Sequence, residues 1–146
     1  MAAGLTCYFD TSALLKLYLE EAESARVRSA TAAATFAFTH LITYAEMRAG
    51  LAQAARLRRI DDLELARQVE QFETDWSELR VITPNETHIR RAGELAQRFG
   101  LRGYDSVHLA AAEAVWQALP GVDFRFAAFD ARLMAAAKAL GMRGLE

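Results

Sequence analysis

Four acidic residues stand where a pocket for a cation would need them. Asp10 ends the short apolar run Cys7-Tyr8-Phe9, and Thr11 and Ser12 follow as the spacing changes to that of a helix. A strand that ends on an acid at the start of a helix is where open α/β sheets place ligand sites. Asp130 stands likewise after the run Phe124-Arg125-Phe126-Ala127-Ala128-Phe129. Asp105 opens an Ala-rich helix, and Glu46 lies within one, on a stripe with Ile42 and Gly50, because residues four apart share a helix face. Singly, each has an ordinary explanation: Asp at a helix start is a common cap worth about 1 kcal/mol, and a helical Glu is commonly solvated. Together they mean more, because the strand ends of a parallel sheet lie on one edge and the acids there can converge. Carboxylates so close repel one another and take up protons unless a cation neutralises them. Oxygen-only ligands, with no Cys or His cluster, select hard cations such as Mg²⁺ or Mn²⁺. Such a centre activates water and stabilises charge on phosphoryl oxygens, the requirements of phosphodiester hydrolysis.

Asp123 is a rival for the fourth position. It precedes the last strand, whereas Asp130 follows it, and a strand of five or six residues is roughly 17–20 Å long. Asp123 therefore belongs at the opposite edge, and Asp130 is the expected ligand. Ser12, two residues after Asp10, is placed to hydrogen-bond a ligand carboxylate, or simply to occupy a first helical turn. Arg102 and Arg132 flank two of the acids and are candidates for phosphate contact; Arg48, two residues after Glu46, points elsewhere on its helix and serves packing or phosphate. His108 shares a face with Asp105, which favours a supporting or structural role over that of a catalytic base. His40 and His88 carry no constellation.

The elements that must position these residues follow from local pattern. Helical spacing is expected from Ser12 to about Leu19 and again from Glu20 to Ala33. A short strand is expected at 36–39, then a helix from about His40 to Arg56 capped by Thr39. Asp61-Asp62 opens a helix whose Leu65, Val69, Phe72, Trp76 and Leu79 form one apolar stripe, suited to a core or to a dimer surface. A third strand is expected at 80–83, followed by a helix capped by Thr83 with Glu86 completing a capping box and ending at Gly100. A helix from Asp105 to about Leu119, a fourth strand at 124–129, a last helix up to Gly141 and a short edge strand at 143–145 complete the chain. Strands alternating with helices imply a three-layer α/β/α sandwich around a mainly parallel sheet.

With 146 residues the chain suits a single domain spanning 1–146. Its 53% apolar and 25% charged content exclude disorder as the governing state. The net charge of −2 lacks the basic surplus common in nucleic-acid binders, although an acidic pocket can mask a basic rim in such a sum. One cysteine, Cys7, permits no internal disulfide and is expected as a small buried apolar residue. No stretch approaches the roughly 20 apolar residues of a membrane span, and the start of the chain lacks the basic flank of a signal peptide. The cytoplasm is the expected compartment.

Four stretches, in this order, resemble the PIN-domain nucleases, and within them the VapC-type toxins of toxin–antitoxin pairs. They are Tyr8-Phe9-Asp10-Thr11-Ser12-Ala13-Leu14-Leu15-Lys16-Leu17-Tyr18, Tyr44-Ala45-Glu46-Met47-Arg48-Ala49-Gly50-Leu51, Tyr104-Asp105-Ser106-Val107-His108-Leu109-Ala110-Ala111-Ala112 and Phe126-Ala127-Ala128-Phe129-Asp130-Ala131-Arg132-Leu133. The resemblance implies a PIN fold with Mg²⁺ or Mn²⁺ held by Asp10, Glu46, Asp105 and Asp130, and Ser12 as a supporting hydroxyl. It further implies endonucleolytic cleavage of RNA, a homodimer, and inhibition by a cognate antitoxin. The connection from Ala118 to Phe124 is longer than the family's usual one, which keeps Asp123 in contention. The alternatives are a haloacid-dehalogenase-like phosphatase with Asp10 as nucleophile, a receiver-like module, and a non-catalytic PIN domain that binds RNA or protein. The phosphatase needs a second Asp where this chain has Ser12, and the receiver needs a Lys after a strand where Lys138 is helical.

Overall fold

A computed structural model describes residues 4–145. Four strands, β1 (Leu5–Phe9), β2 (Ala34–His40), β3 (Arg80–Ile82) and β4 (Phe124–Ala127), form one sheet in the order β3-β2-β1-β4. Every pairing is parallel, with Tyr8 opposite Phe38 on one side and Phe126 on the other. Alternation along β1 divides the core between the two faces. Tyr8 joins Phe126 on one face, under α5 (Glu86–Phe99), α6 (Gly103–Ala118) and α7 (Ala131–Leu140). Cys7 and Phe9 join the other, under α1 (Thr11–Leu15), α2 (Ser24–Ala33), α3 (Ile42–Arg56) and α4 (Asp62–Trp76). The result is the three-layer sandwich expected from the sequence. Cys7 is fully buried, and burial, reinforced by Asp123 and opposed by Arg125, pushes its thiol up to about 11. Among the described residues, no helix is long and apolar enough to cross a membrane.

One consequence of this topology positions the site. Strands β1 and β4 are neighbours, yet α1 leaves β1 towards one face while α7 leaves β4 towards the other, burying Ala13 and Leu14 in one core and Leu133 and Ala136 in the other. Such a divergence opens a crevice beyond the carboxyl ends of the two strands.

Several local expectations are corrected. Thr39 does not cap α3: strand β2 continues through His40, and the Thr39 hydroxyl instead donates to the Phe9 carbonyl at 2.8 Å. The ring of His40 takes over, its Nδ1 accepting the Ile42 N–H at 3.0 Å. Asn85, not Thr83, caps α5, accepting the His88 N–H at 2.9 Å. Asp105 is no cap either, since α6 begins at Gly103 and Asp105 sits inside its first turn. Helix α1 stops at Leu15 and α2 begins only at Ser24, after Glu23 turns the chain through a left-handed conformation (φ 73°). Residues 128–129 and 83 lie outside the strands, and the expected edge strand at 143–145 is reduced to one bridge between Arg125 and Arg143. The stripe on α4 is core: Phe72 is buried, and Leu65, Val69, Trp76 and Leu79 pack against the same cluster.

Candidate active site

The crevice is built from Asp10 outward. The backbone N–H of Asp10 donates to the Ala127 carbonyl at 3.0 Å, which levels the ends of β1 and β4. Its side chain then caps α1, with Oδ1 accepting from the Ala13 N–H at 2.9 Å and from the Ser12 hydroxyl at 2.7 Å. Ser12 thus takes the supporting contact anticipated for it. Only 4% of Asp10 is exposed. Burial pushes its carboxyl above the usual carboxylate range and Asp105 adds to this, against the pull of His108, the Ala13 N–H and Ser12.

Glu46 arrives from α3. Gly50, one turn on, lets that helix lie against α1: a Cβ there would come within 2.9 Å of the Leu15 side chain. Thr39 and Thr43, with hydroxyls 2.8 Å apart, fasten the start of α3 to the end of β1 through the Phe9 carbonyl. Glu46 Oε1 accepts from the Thr11 hydroxyl at 2.6 Å and lies 2.8 Å from His108 Nε2. His108 Nδ1 in turn meets the Tyr8 hydroxyl at 2.8 Å. Burial works to raise the Glu46 carboxyl, but the His108 and Thr11 hydrogen bonds outweigh it and hold Glu46 below its ordinary value. His40 also belongs here, since burial and the neighbouring His108 keep its ring below the ordinary histidine value, with Glu46 opposing. Thr11, Tyr8 and His40 are the residues that sequence reasoning missed. Thr11 had a legible signal, being adjacent to Asp10; Tyr8 and His40 had none, because the His108 that both face is remote in the chain.

Asp105 forms the open flank. Its Oδ2 accepts from Arg102 Nε at 3.1 Å, and it lines a cleft of about 430 Å³ with Glu46, Arg102, Gly103 and Tyr104. Asp130 caps α7, its Oδ1 accepting the Leu133 N–H at 2.9 Å. Arg132 donates to the Gly100 carbonyl at 3.0 Å, on the segment leading into α6. Arg48 donates to Tyr44 Oη, one turn back on its own helix, at 2.9 Å and pairs with Glu73 of α4 at 3.4 Å. Asp123 stands at the far end of β4, its carbonyl accepting the Thr6 N–H and its carboxylate paired with Arg125.

A common pattern links the four acids. Each is held through one oxygen, Oδ1 of Asp10, Oε1 of Glu46, Oδ2 of Asp105 and Oδ1 of Asp130, and the other oxygen makes no hydrogen bond among the described residues. Yet among the described residues no three side chains of the Asp, Glu, His or Cys type gather closely enough to enclose an ion. A small hard cation does not need such a cage, because Mg²⁺ keeps several waters and is commonly held by one or two carboxylates. The all-oxygen donors and the buried, partly unpartnered Asp10 suit it.

A parallel three-layer fold with an acid-lined crevice at its switch point matches an established class. The chain belongs to the PIN domain family, whose pattern covers residues 7–139. It is 38% identical over 136 residues to Ribonuclease VapC45 and to Ribonuclease VapC49 of Mycobacterium tuberculosis, with 93% of this chain and 92% of each relative aligned. FitAcB from Neisseria gonorrhoeae shares the fold with a TM-score of 0.68 at 16% identity, covering 96% of both chains. VapC20 from Mycobacterium tuberculosis, a toxin that cleaves the sarcin–ricin loop, gives a TM-score of 0.64 at 17% identity over 89% of this chain and 94% of its own.

Proposed function

We propose that the chain, acting as a single PIN domain over residues 1–146, is an endoribonuclease and the toxin of a toxin–antitoxin pair. The observation that carries this reading is the one-sided anchoring of Asp10, Glu46, Asp105 and Asp130, seen together with the near-full-length relation to VapC ribonucleases. Asp10, Glu46, Asp105 and Asp130 are the residues that would hold Mg²⁺ or Mn²⁺, without all four closing on the ion as a cage. A divalent ion there would lower the pKa of a bound water and offset charge on the phosphoryl oxygens. Ser12 and the Ala13 N–H keep the Asp10 carboxylate aimed out of the core. Thr11 and His108 do the same for Glu46 and hold it ionised. Arg102 and Arg132 stand on the rim to meet RNA phosphates, and Arg48 acts through its contacts with α4. The antitoxin is a protein partner, as in the toxin–antitoxin complex from Klebsiella pneumoniae, which shares the fold at TM-score 0.64 and 19% identity over 88% of this chain and 90% of that one. A homodimer in the cytoplasm completes the proposal.

The test is cleavage of total RNA by purified protein with Mg²⁺, with Mn²⁺ and with EDTA, beside an Asp10→Asn preparation. Discrete, metal-dependent products absent from the variant support the reading. Equal behaviour of both proteins under all three conditions would end it.

A further inference from the structure

The cleft beside Asp105 holds one residue that neither the core nor the acid network uses. Tyr104 is 64% exposed and packs with neither core cluster, and among the described residues its side chain makes no hydrogen bond and no aromatic contact. Single exposed aromatics are common on protein surfaces, so exposure alone carries nothing; location does. Of the exposed large apolar side chains, Phe36 lies under the Arg80 guanidinium at 4.2 Å, and Leu57 and Leu63 flank the turn between α3 and α4. Tyr104 alone among them lines the cleft that also contains Glu46 and Asp105. It is the second residue of a 16-residue helix, and Gly103 before it presents no side chain to the cleft.

Charge makes the same point. The chain carries a net charge of −2, and the crevice adds acids where a polyanion must dock. Phosphate contacts, the usual source of affinity for nucleic acid, must here work against those acids. Stacking on an aromatic ring does not depend on net charge and accepts any base. Single-stranded RNA can splay a base onto such a ring, which a paired helix cannot.

We propose that Tyr104 is the stacking platform for one base of single-stranded RNA, lodged beside the phosphodiester that water hydrolyses at the acids. The inference rests on the ribonuclease reading and adds the residue that grips the substrate. Arg102, 82% exposed at its side chain and paired among the described residues with Asp105 alone, contacts the adjoining phosphate.

The experiment measures binding of a short single-stranded oligoribonucleotide carrying one 2-aminopurine, in Mg²⁺, to Asp10→Asn protein so that nothing is cleaved. Tyr104→Ala, Tyr104→Phe and Arg102→Ala are compared in that background. Tyr104→Ala should weaken binding about tenfold and abolish the stacking quench of 2-aminopurine, with an unchanged dependence of affinity on salt. Tyr104→Phe should retain both affinity and quench, while Arg102→Ala should flatten the salt dependence. Equal affinity and quench in Tyr104→Ala and its parent would overturn the proposal, as would a loss in Tyr104→Phe equal to that in Tyr104→Ala. Wild-type cleavage of total RNA, run alongside, separates the two readings. If the wild type cleaves and Tyr104→Ala binds normally, stacking fails and the nuclease stands. If the wild type neither cleaves nor binds, the nuclease reading fails and this one falls with it.

Discussion

The two flanks of the crevice are built on opposite principles. On the α1–α3 flank, Asp10 and Glu46 are held by Ser12, Thr11, the Ala13 N–H and His108, and the chain of contacts continues inward to Tyr8. On the α6 flank, Asp105 has one exposed arginine as partner and an exposed tyrosine as neighbour. The first arrangement fixes charge before substrate arrives, which is what preorganised electrostatic catalysis requires. The second leaves side chains free to rearrange around a ligand. On the proposed reading, the flank that fixes its acids and the flank that meets substrate are distinct, with Asp105 serving both.

The sharpest way to break this comparison is Asp10→Asn. Cleavage should fall to background while folding persists, because Asn retains an acceptor for the Ala13 N–H; circular dichroism and RNA gels measure both. The variant should also be more stable than the wild type at neutral pH without metal. A carboxyl whose folded pKa is raised holds its proton more tightly when folded. Stability is therefore greatest below the ordinary carboxylate range and declines as pH rises towards the raised value. Asn removes that decline, so the two melting curves should converge in acid. Added Mg²⁺ should raise the Tm of the wild type but not of the variant.

Next in size is Thr11→Val, which removes the hydroxyl donor to Glu46 without changing shape. Losses of about 10–100-fold in metal affinity or activity are typical for such supporting contacts, and a Mg²⁺ titration of the cleavage rate reads this one. Away from the crevice, Arg91→Ala provides the control. Arg91 grips buried Glu113 with two hydrogen bonds, at 2.8 and 2.9 Å, joining α5 to α6. Leaving that carboxylate unpaired should cost about 2 kcal/mol in urea melts, with activity per folded molecule intact. Smallest is Arg102→Ala, which breaks a surface ion pair and should change stability by less than about 0.5 kcal/mol. Its effect should be a few-fold rise in KM with kcat retained. A loss of kcat equal to that in Thr11→Val would erase the distinction between the flanks.

Periodicity and punctuation made much of this protein legible in its sequence. The strand–acid–helix junction at Asp10, and the acid that caps α7 shortly after β4, announced a parallel sheet, because local chemistry sets both the strand's end and the helix's cap. The C-cap at Gly100 was legible for the same reason, since a left-handed turn (φ 65°) favours the residue without a Cβ. Boundaries were harder where two residues compete for one donor. Thr39 read as a cap but is committed to the Phe9 carbonyl, a partner 30 positions away, and His40 takes the role. Spacing singled out the four acids as candidates, but not how each is held. Tyr8, His108 and Glu46 form one contact chain only because β1, α6 and α3 meet at the crevice, across separations of 100 and 62 residues. Sequence by itself determined the alternation of strands and helices and the acid that caps α1 after β1, since those depend on neighbours along the chain. Tertiary structure alone decided that Glu46 is pinned while Asp105 stays open, because burial and hydrogen bonding between distant segments are properties of packing.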